Sequence, residues 1–233
     1  MKTTHKVRIT KSGAKTATGA VARHHVREEI KRRILSGESK AGERLSQQSL
    51  ARELGVAQGT VRESLLELHW LGLVESVDHL GVFVGSLDVT RICQSYQVRE
   101  VLEGLSARLC CAQAGRQDIA QLREMAEEVY RLAKKGREEE MGRLDRAFHS
   151  RITELCRNKI LLRLAETYRV LGMTVRASRE PRTIHTEHLA IVQAIEENDA
   201  DHAEQLARRH VELTISTIES QARQGKFVPK WVD

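Results

Sequence analysis

Apolar positions recur at helical spacing from Val21 onward. Val26, Ile30 and Ile34 share one face, and Gly37 ends the run, which predicts a first helix. A second, short helix is predicted over residues 46–54, opened by Ser46 and carrying Leu50, Ala51 and Leu54 inward. Gly55-Val56 turns the chain, and a third helix is predicted from Ala57 to Leu71 with Val61, Leu65 and Leu68 on its buried face. Gly72 stops it. Two β-prone runs follow, Leu73 to Val77 and Val82 to Val84, around a turn of Asp78-His79-Leu80-Gly81, so a hairpin is expected. Helix, helix, tight turn, helix, hairpin is the order of a winged helix-turn-helix, here over residues 21–85. After a linker from Gly85 to Thr90, with Asp88 or Ser86 as cap, the helical pattern runs to Gln224. Breaks near Gly115, Gly136, Asn158, Pro181 and Asn198 predict about six helices. The expected fold is mainly α: an N-terminal winged helix-turn-helix with a small β-hairpin wing, then an all-α antiparallel bundle over residues 86–224 and a loosely held tail, 225–233.

Composition supports this. Hydrophobic residues make up 40% of the 233-residue chain, aromatics 3%, and there are two prolines, which disfavours a β-sandwich. The net charge of +6 is unevenly placed. Residues 1–85 carry 14 Lys/Arg against 9 Asp/Glu, while the remainder carries 24 against 23, so the excess sits where a DNA-facing module would need it. Residues 1–20, with Lys2, Lys6, Arg8, Lys11 and Lys15 and no acid, read as a flexible basic arm that either touches DNA phosphates or is simply solvated. Cys93, Cys110, Cys111 and Cys156 form no C-x-x-C pair and read as reduced structural cysteines. With no apolar run of membrane length and no signal core after Met1, a cytoplasmic protein is expected.

The third helix occupies the place of a recognition helix. Gln58 and Arg62, four residues apart, share the face opposite Val61, Leu65 and Leu68. Arg reads guanine O6 and N7, and Gln reads adenine N6 and N7, each with two hydrogen bonds. Gly59 and Thr60 lie in the same first turn, where a small residue lets the helix approach the duplex. Arg44 and Arg52 flank the motif as phosphate contacts, which set register and not sequence. His79, Leu80 and Gly81 form a wing tip suited to a minor groove. Taken alone, Arg62 reads better as half of a surface ion pair; the order of elements and the basic enrichment turn the reading to DNA.

On these residues the chain resembles the GntR family of regulators. The resemblance is carried by Gly42-Glu43-Arg44-Leu45, Leu50-Ala51, Leu54-Gly55-Val56, Val61-Arg62-Glu63, Leu65, Leu68 and Gly72-Leu73-Val74. It implies that the residue at Arg62 touches bases or their backbone. Because one recognition helix reads only a half-site, a homodimer on a near-palindromic double-stranded operator is expected, with a repressor as the expected output. The chain departs from the family pattern at Ala41 in place of Pro, at Ala57-Gln58-Gly59-Thr60 in place of Ser-Arg-Thr-Pro, and at Gln48 in place of a frequent Arg. An operator centred less on guanine is expected.

The helical part offers one constellation. Asp145 and His149 are four apart on one helix, and His188 and His210 lie on two later ones, each beside an apolar stripe. One such histidine is usually a hydrogen-bonded core residue. Four inward polar groups from three helices need a common partner, because an unpaired buried polar group is costly. One divalent ion per chain answers this, zinc foremost, with nickel, manganese or iron also suited to imidazole and carboxylate ligands. His185, one turn before His188, is the rival ligand; His202 and His24-His25 read as surface residues. This part is similar to the FCD ligand-sensing domain of the FadR-type subfamily. In its metal-binding branch an Asp-x-x-x-His helix and two later histidines hold the ion, which here implies Asp145, His149, His188 and His210; Glu187 and Asn158 also match. The resemblance further implies a small carboxylate effector. Arg99 is its candidate anchor, with an i,i+4 salt bridge to Glu103 as the competing reading, and Arg176 and Ser178 are further candidates for the cavity wall. Against the ligand-responsive regulator stand a metal-dependent hydrolase, for which no general base is evident, a sensor of the metal itself, and a purely structural ion.

Overall fold

The computed structural model describes residues 11–86, 88–172 and 179–227, and the chain divides into two compact units after Ser86. The first unit opens with α1 (Lys11–Leu35). The helix begins ten residues before Val21, so the part of the expected basic arm from Lys11 onward is helical. Ala14, Ala17 and Ala20 are strong helix formers and no proline interrupts them. Then come β1 (Arg44–Leu45), α2 (Gln47–Leu54), α3 (Gln58–Trp70), β2 (Val74–Val77) and β3 (Gly81–Val84).

Ser46 caps α2 by accepting from the Ser49 amide at 3.3 Å. Gly55 ends that helix at φ 66°, a left-handed conformation that glycine adopts without steric cost. Ala57 stands at the N-cap of α3 in extended backbone with no side-chain cap bond. The three strands form an antiparallel sheet in the order β1-β3-β2, pairing Val74 with Val84 and Leu45 with Val82. The hairpin follows the sequence pattern. Strand β1 does not, because two residues are too few to show alternation.

Val26, Ile30 and Ile34 of α1 are buried with Val61, Leu65 and Leu68 of α3, and Leu73, Val74 and Val84 close the core from the sheet. The Ser64 hydroxyl donates to the Arg23 and Thr60 carbonyls, both at 3.0 Å, tying α3 to α1.

The second unit is built from α4 (Val89–Cys111), α5 (Arg116–Lys134), α6 (Glu138–Leu155), α7 (Lys159–Gly172), α8 (Pro181–Glu196) and α9 (Ala200–Arg223). Its turns use the punctuation residues of the sequence. Asp88 caps α4 by accepting from the Arg91 amide at 2.7 Å. Asn158 caps α7 through the Ile160 and Leu161 amides, Pro181 starts α8, and Asn198 at φ 57° precedes the Asp199 cap of α9. One apolar cluster joins Ala107, Leu122, Phe148, Ile152, Ile191, Ile195 and Ala207. A second joins Ile92, Tyr96, Val211 and Ile218. Among the described residues, no helix is long and apolar enough to cross a membrane.

Candidate functional site

In the first unit, the start of α3, the start of α2 and the wing strand β3 bring candidate DNA-contacting residues to one place. Arg44, Gln48, Gln58 and Gly81 line a single surface hollow, together with Gln47 and Ser46. Gly81 is part of the reason they converge. A Cβ there would lie 3.3 Å from Arg44 Nε, so the missing side chain leaves the guanidinium room to cross the strand. Gly59 has no heavy atom within 4 Å of where its Cβ would stand, which leaves the first turn of α3 open to a close-approaching surface. Thr60 is half-buried, and its carbonyl is engaged by Ser64. Arg52 is exposed on α2. His79 is exposed at the wing tip at φ 61°, beside exposed Leu80.

Arg62 lines a neighbouring hollow with Gln47, Leu66, His69 and Ser76. The nearby acids are occupied by α1. Arg23 pairs with Glu63 at 3.1 Å and with Glu67 at 3.0 Å, Arg27 pairs with Glu67 at 2.9 Å, and Arg33 pairs with Glu53 at 2.8 Å. No ion pair among the described residues involves Arg62, so its positive charge is left to the surface.

In the second unit, α6, α8 and α9 carry His149, His188 and His210 to one point. One nitrogen from each lies within 4.8 Å of the other two, and all three rings are buried. Phe148 stacks on His188 with centroids 4.4 Å apart and walls the cluster from the apolar core. His149 Nε2 and both nitrogens of His188 are buried without a hydrogen-bond partner among the described residues. That is the state expected of imidazoles arranged for a metal ion, since such groups are otherwise costly to bury. Asp145 Oδ1 lies 3.5 Å from His188 Nε2, on a side chain that is 27% exposed, and does not belong to the mutual set of three nitrogens. It can reach the site from one side. His185 is not in the group. Its ring stacks on Tyr130 at 4.6 Å, and its Nε2 sits 3.2 Å from Glu127.

Two carboxylates flank the histidines. His210 Nδ1 hydrogen-bonds Glu187 Oε2 at 2.7 Å, and Arg179 donates to Glu187 Oε1 at 2.5 Å. His149 Nδ1 lies 3.0 Å from Glu103 Oε2, and Arg99 pairs with the other oxygen of Glu103. Burial alone would raise the Glu187 pKa, but the His210 and Arg179 hydrogen bonds outweigh it and hold the carboxyl below the usual range. Burial is likewise outweighed at Glu103, by the charge of Arg99 and then by His149. Burial pushes the His188 pKa well below 6.5, reinforced by the neighbouring His210 and His149. His210 is also lowered, by burial, against the opposing pull of Glu187. Both rings therefore favour the neutral form that a metal requires.

Arg99 thus makes the i,i+4 pair with Glu103 and also lies over the Tyr96 ring, 5.0 Å from its centroid. Arg176 and Ser178 lie outside the described residues. Sequence reasoning took Glu103 only as a local partner of Arg99 and overlooked Arg179. The available signal was an acid on the inward Tyr96-Arg99-Glu103 face of α4.

Comparison with known proteins agrees with this layout. The pattern of the bacterial regulatory proteins of the gntR family matches residues 22–84, and that of the FCD domain matches residues 94–213. The HTH-type transcriptional regulator YdhC of Bacillus subtilis is 26% identical over 206 residues, 85% of this chain and 91% of that one. A relative from Paenarthrobacter nicotinovorans, which carries the name of a D-xylose utilization operon repressor, is 29% identical over 202 residues, 85% and 89% of the two chains. Among solved structures, McbR/YncC of E. coli shares the fold, with a TM-score of 0.65 at 20% identity over 86% of this chain and 98% of that one. The family and these relatives are transcription regulators and not enzymes, which removes the hydrolase reading of the histidine cluster. With both family patterns matched in order along one chain, the protein belongs to the gntR family of bacterial transcription regulators and carries an FCD domain behind its DNA-reading head.

Proposed function

We propose that this regulator binds a near-palindromic operator as a homodimer, and that a small carboxylate bound at a metal in the FCD domain controls its DNA affinity. The observation that carries the reading is the buried triad of His149, His188 and His210, with its unpartnered nitrogens, behind a basic DNA-reading head. One recognition helix reads only a half-site, so a two-fold dimer and a two-fold operator go together. Arg62, Gln58, Gln48 and Thr60 face the major groove, Arg44 and Arg52 meet phosphates, Gly59 allows close approach, and His79 and Gly81 carry the wing. Such a protein acts in the cytoplasm, where the DNA is.

Three imidazoles and the Asp145 carboxylate suit zinc best, with nickel, manganese and iron as other possible occupants. When bound, the ion supplies a Lewis-acid centre for an oxygen ligand. Arg99 and Arg179 are already matched by Glu103 and Glu187. Asp145 therefore contributes the one unmatched negative charge against the two positive charges of the ion, and the remainder favours an anionic effector. The Nε of Arg99 is committed to Glu103, which leaves its Nη pair as the end that would meet an acid. Tighter binding of the acid to one arrangement of the domain would shift DNA affinity, acting as a repressor's inducer or corepressor.

The test is operator affinity by fluorescence anisotropy, with zinc or with EDTA, across a panel of short mono- and dicarboxylates. At least one acid should change affinity about 5–150-fold in zinc-loaded protein and none after chelation. Affinity insensitive to zinc and to every acid contradicts the effector half of the reading. A response to zinc alone would make the ion the signal.

A further inference from the structure

The two flanking acids are placed in the same order but differ in geometry: Glu187 hydrogen-bonds its imidazole, whereas Glu103 Oε2 lies close to His149 and is buried without a well-formed hydrogen bond among the described residues. On α4, Arg99 holds one oxygen of Glu103 while the other stands 3.0 Å from His149 Nδ1. On the other side, Arg179 holds one oxygen of Glu187 while the other stands 2.7 Å from His210 Nδ1. Each line runs arginine, carboxylate, imidazole. We propose that Glu103 and Glu187 are positioning residues, each accepting the Nδ1–H of one imidazole and so keeping the proton there, so that Nε2 of His149 and Nε2 of His210 are the atoms presented to the metal ion.

An imidazole nitrogen 3.0 Å or less from a carboxylate oxygen must carry a proton, because two lone pairs at that distance repel. A neutral ring with its proton on Nδ1 has its lone pair on Nε2. His149 Nε2 is indeed the nitrogen buried without a partner. Neither carboxylate joins the three nitrogens that lie within 4.8 Å of one another, so both back ligands and are not themselves in the ligand group. Each arginine offsets the charge of its carboxylate, so the relays orient two rings without adding net charge at the site. Among the described residues His188 has no such backing. Its Nε2 faces Asp145 at 3.5 Å, and its ring is held by stacking on Phe148. Outer partners of this kind fix ring orientation and raise ligand basicity.

This inference rests on the reading of the triad as a metal site, and the test separates the two. Zinc affinity is measured by competition with a chromophoric chelator for the wild type, Glu103→Ala, Glu187→Ala and the control Glu100→Gln. Glu100 sits on α4 but pairs with Arg208 instead of a histidine. Long-range proton–nitrogen spectra of zinc-loaded wild type report which nitrogen of each histidine is protonated, and they remain decisive if a variant fails to fold. Each alanine variant should lose about 10–100-fold in zinc affinity while Glu100→Gln stays at the wild-type value. The spectra should show protonated Nδ1 on His149 and His210. Tight wild-type binding with unaltered affinity in both alanine variants, or with Nδ1 ligation of either ring, overturns the inference alone. No zinc binding by the wild type overturns the metal reading and the inference with it.

Discussion

At the scale of single residues, the second unit is governed by how a few polar groups are kept inside it. His188 is fully buried, and its pKa is lowered first by burial and then by the charges of His210 and His149; His210 is lowered by burial as well. A group that binds protons less readily folded than unfolded contributes stability above its unfolded pKa and loses it as pH falls below that value. Metal-free protein should therefore lose stability as pH drops from about 6.5, the ordinary histidine value, towards 5. Glu103 and Glu187, whose carboxyls are held low, contribute above the ordinary carboxylate range and give way only further down in pH. Urea midpoints of chelated protein at pH 7.5, 6.5 and 5.5 check this, and a flat profile would contradict it. Packing at the same place predicts a second effect. Phe148 is wholly buried against the His188 ring, so Phe148→Ala should cost about 3–5 kcal/mol in denaturant unfolding. Which residues face inward was readable from helical spacing. Which of them meet was not, because a periodic stripe identifies a face but not the helix opposite it. His185 stood as the rival of His188 one turn away, yet it stacks on Tyr130 while His188 joins the triad. Glu103 looked like a local partner of Arg99 because its contact with His149 spans two helices.

At the scale of elements, most boundaries were legible because each has a local cause. Gly55, Gly72 and Gly136 adopt positive φ at turns, and Asp88, Asn158 and Asp199 cap helices through their own side chains. Strand β1 was not legible, since its two residues are set by pairing with Phe83 and Val82 and not by any pattern of their own. The start of α1 was missed because the residues before Val21 have good helix propensity but no apolar stripe to mark them. The head of α3 carries a testable weakness. Ala57 has the extended backbone of an N-cap, φ −67° and ψ 143°; its carbonyl accepts from the Thr60 amide at 3.0 Å, but it has no side chain to accept a further amide proton. Ala57→Ser should stabilise the first unit by about 1 kcal/mol, read as a raised thermal midpoint. An unchanged or lowered midpoint would mean that these amides are satisfied in another way.

At the scale of the whole molecule, the chain couples two units with different chemistry, and each leaves its own polar groups for an external partner. In the first, the acids of α2 and α3 are taken up by Arg23, Arg27 and Arg33, and Arg62 enters no ion pair among the described residues. In the second, one nitrogen from each of three histidines converges, and His149 Nε2 and both nitrogens of His188 are buried without a hydrogen-bond partner among the described residues. Zinc at about one hundred times its Kd should stabilise the protein by about 2.7 kcal/mol, and chelation should remove that gain. Calorimetry with and without EDTA reads this directly, and an identical midpoint would argue against a tight site. The central claim is that α3, through Arg62 and its neighbours, reads a specific operator. The most direct measurement is selection of full-length protein against a random duplex library, run in parallel with Arg62→Ala. The account predicts one enriched, two-fold symmetric sequence for the wild type, lost in the variant while the second unit still binds zinc. No enriched sequence, or the same sequence enriched by Arg62→Ala, would contradict it.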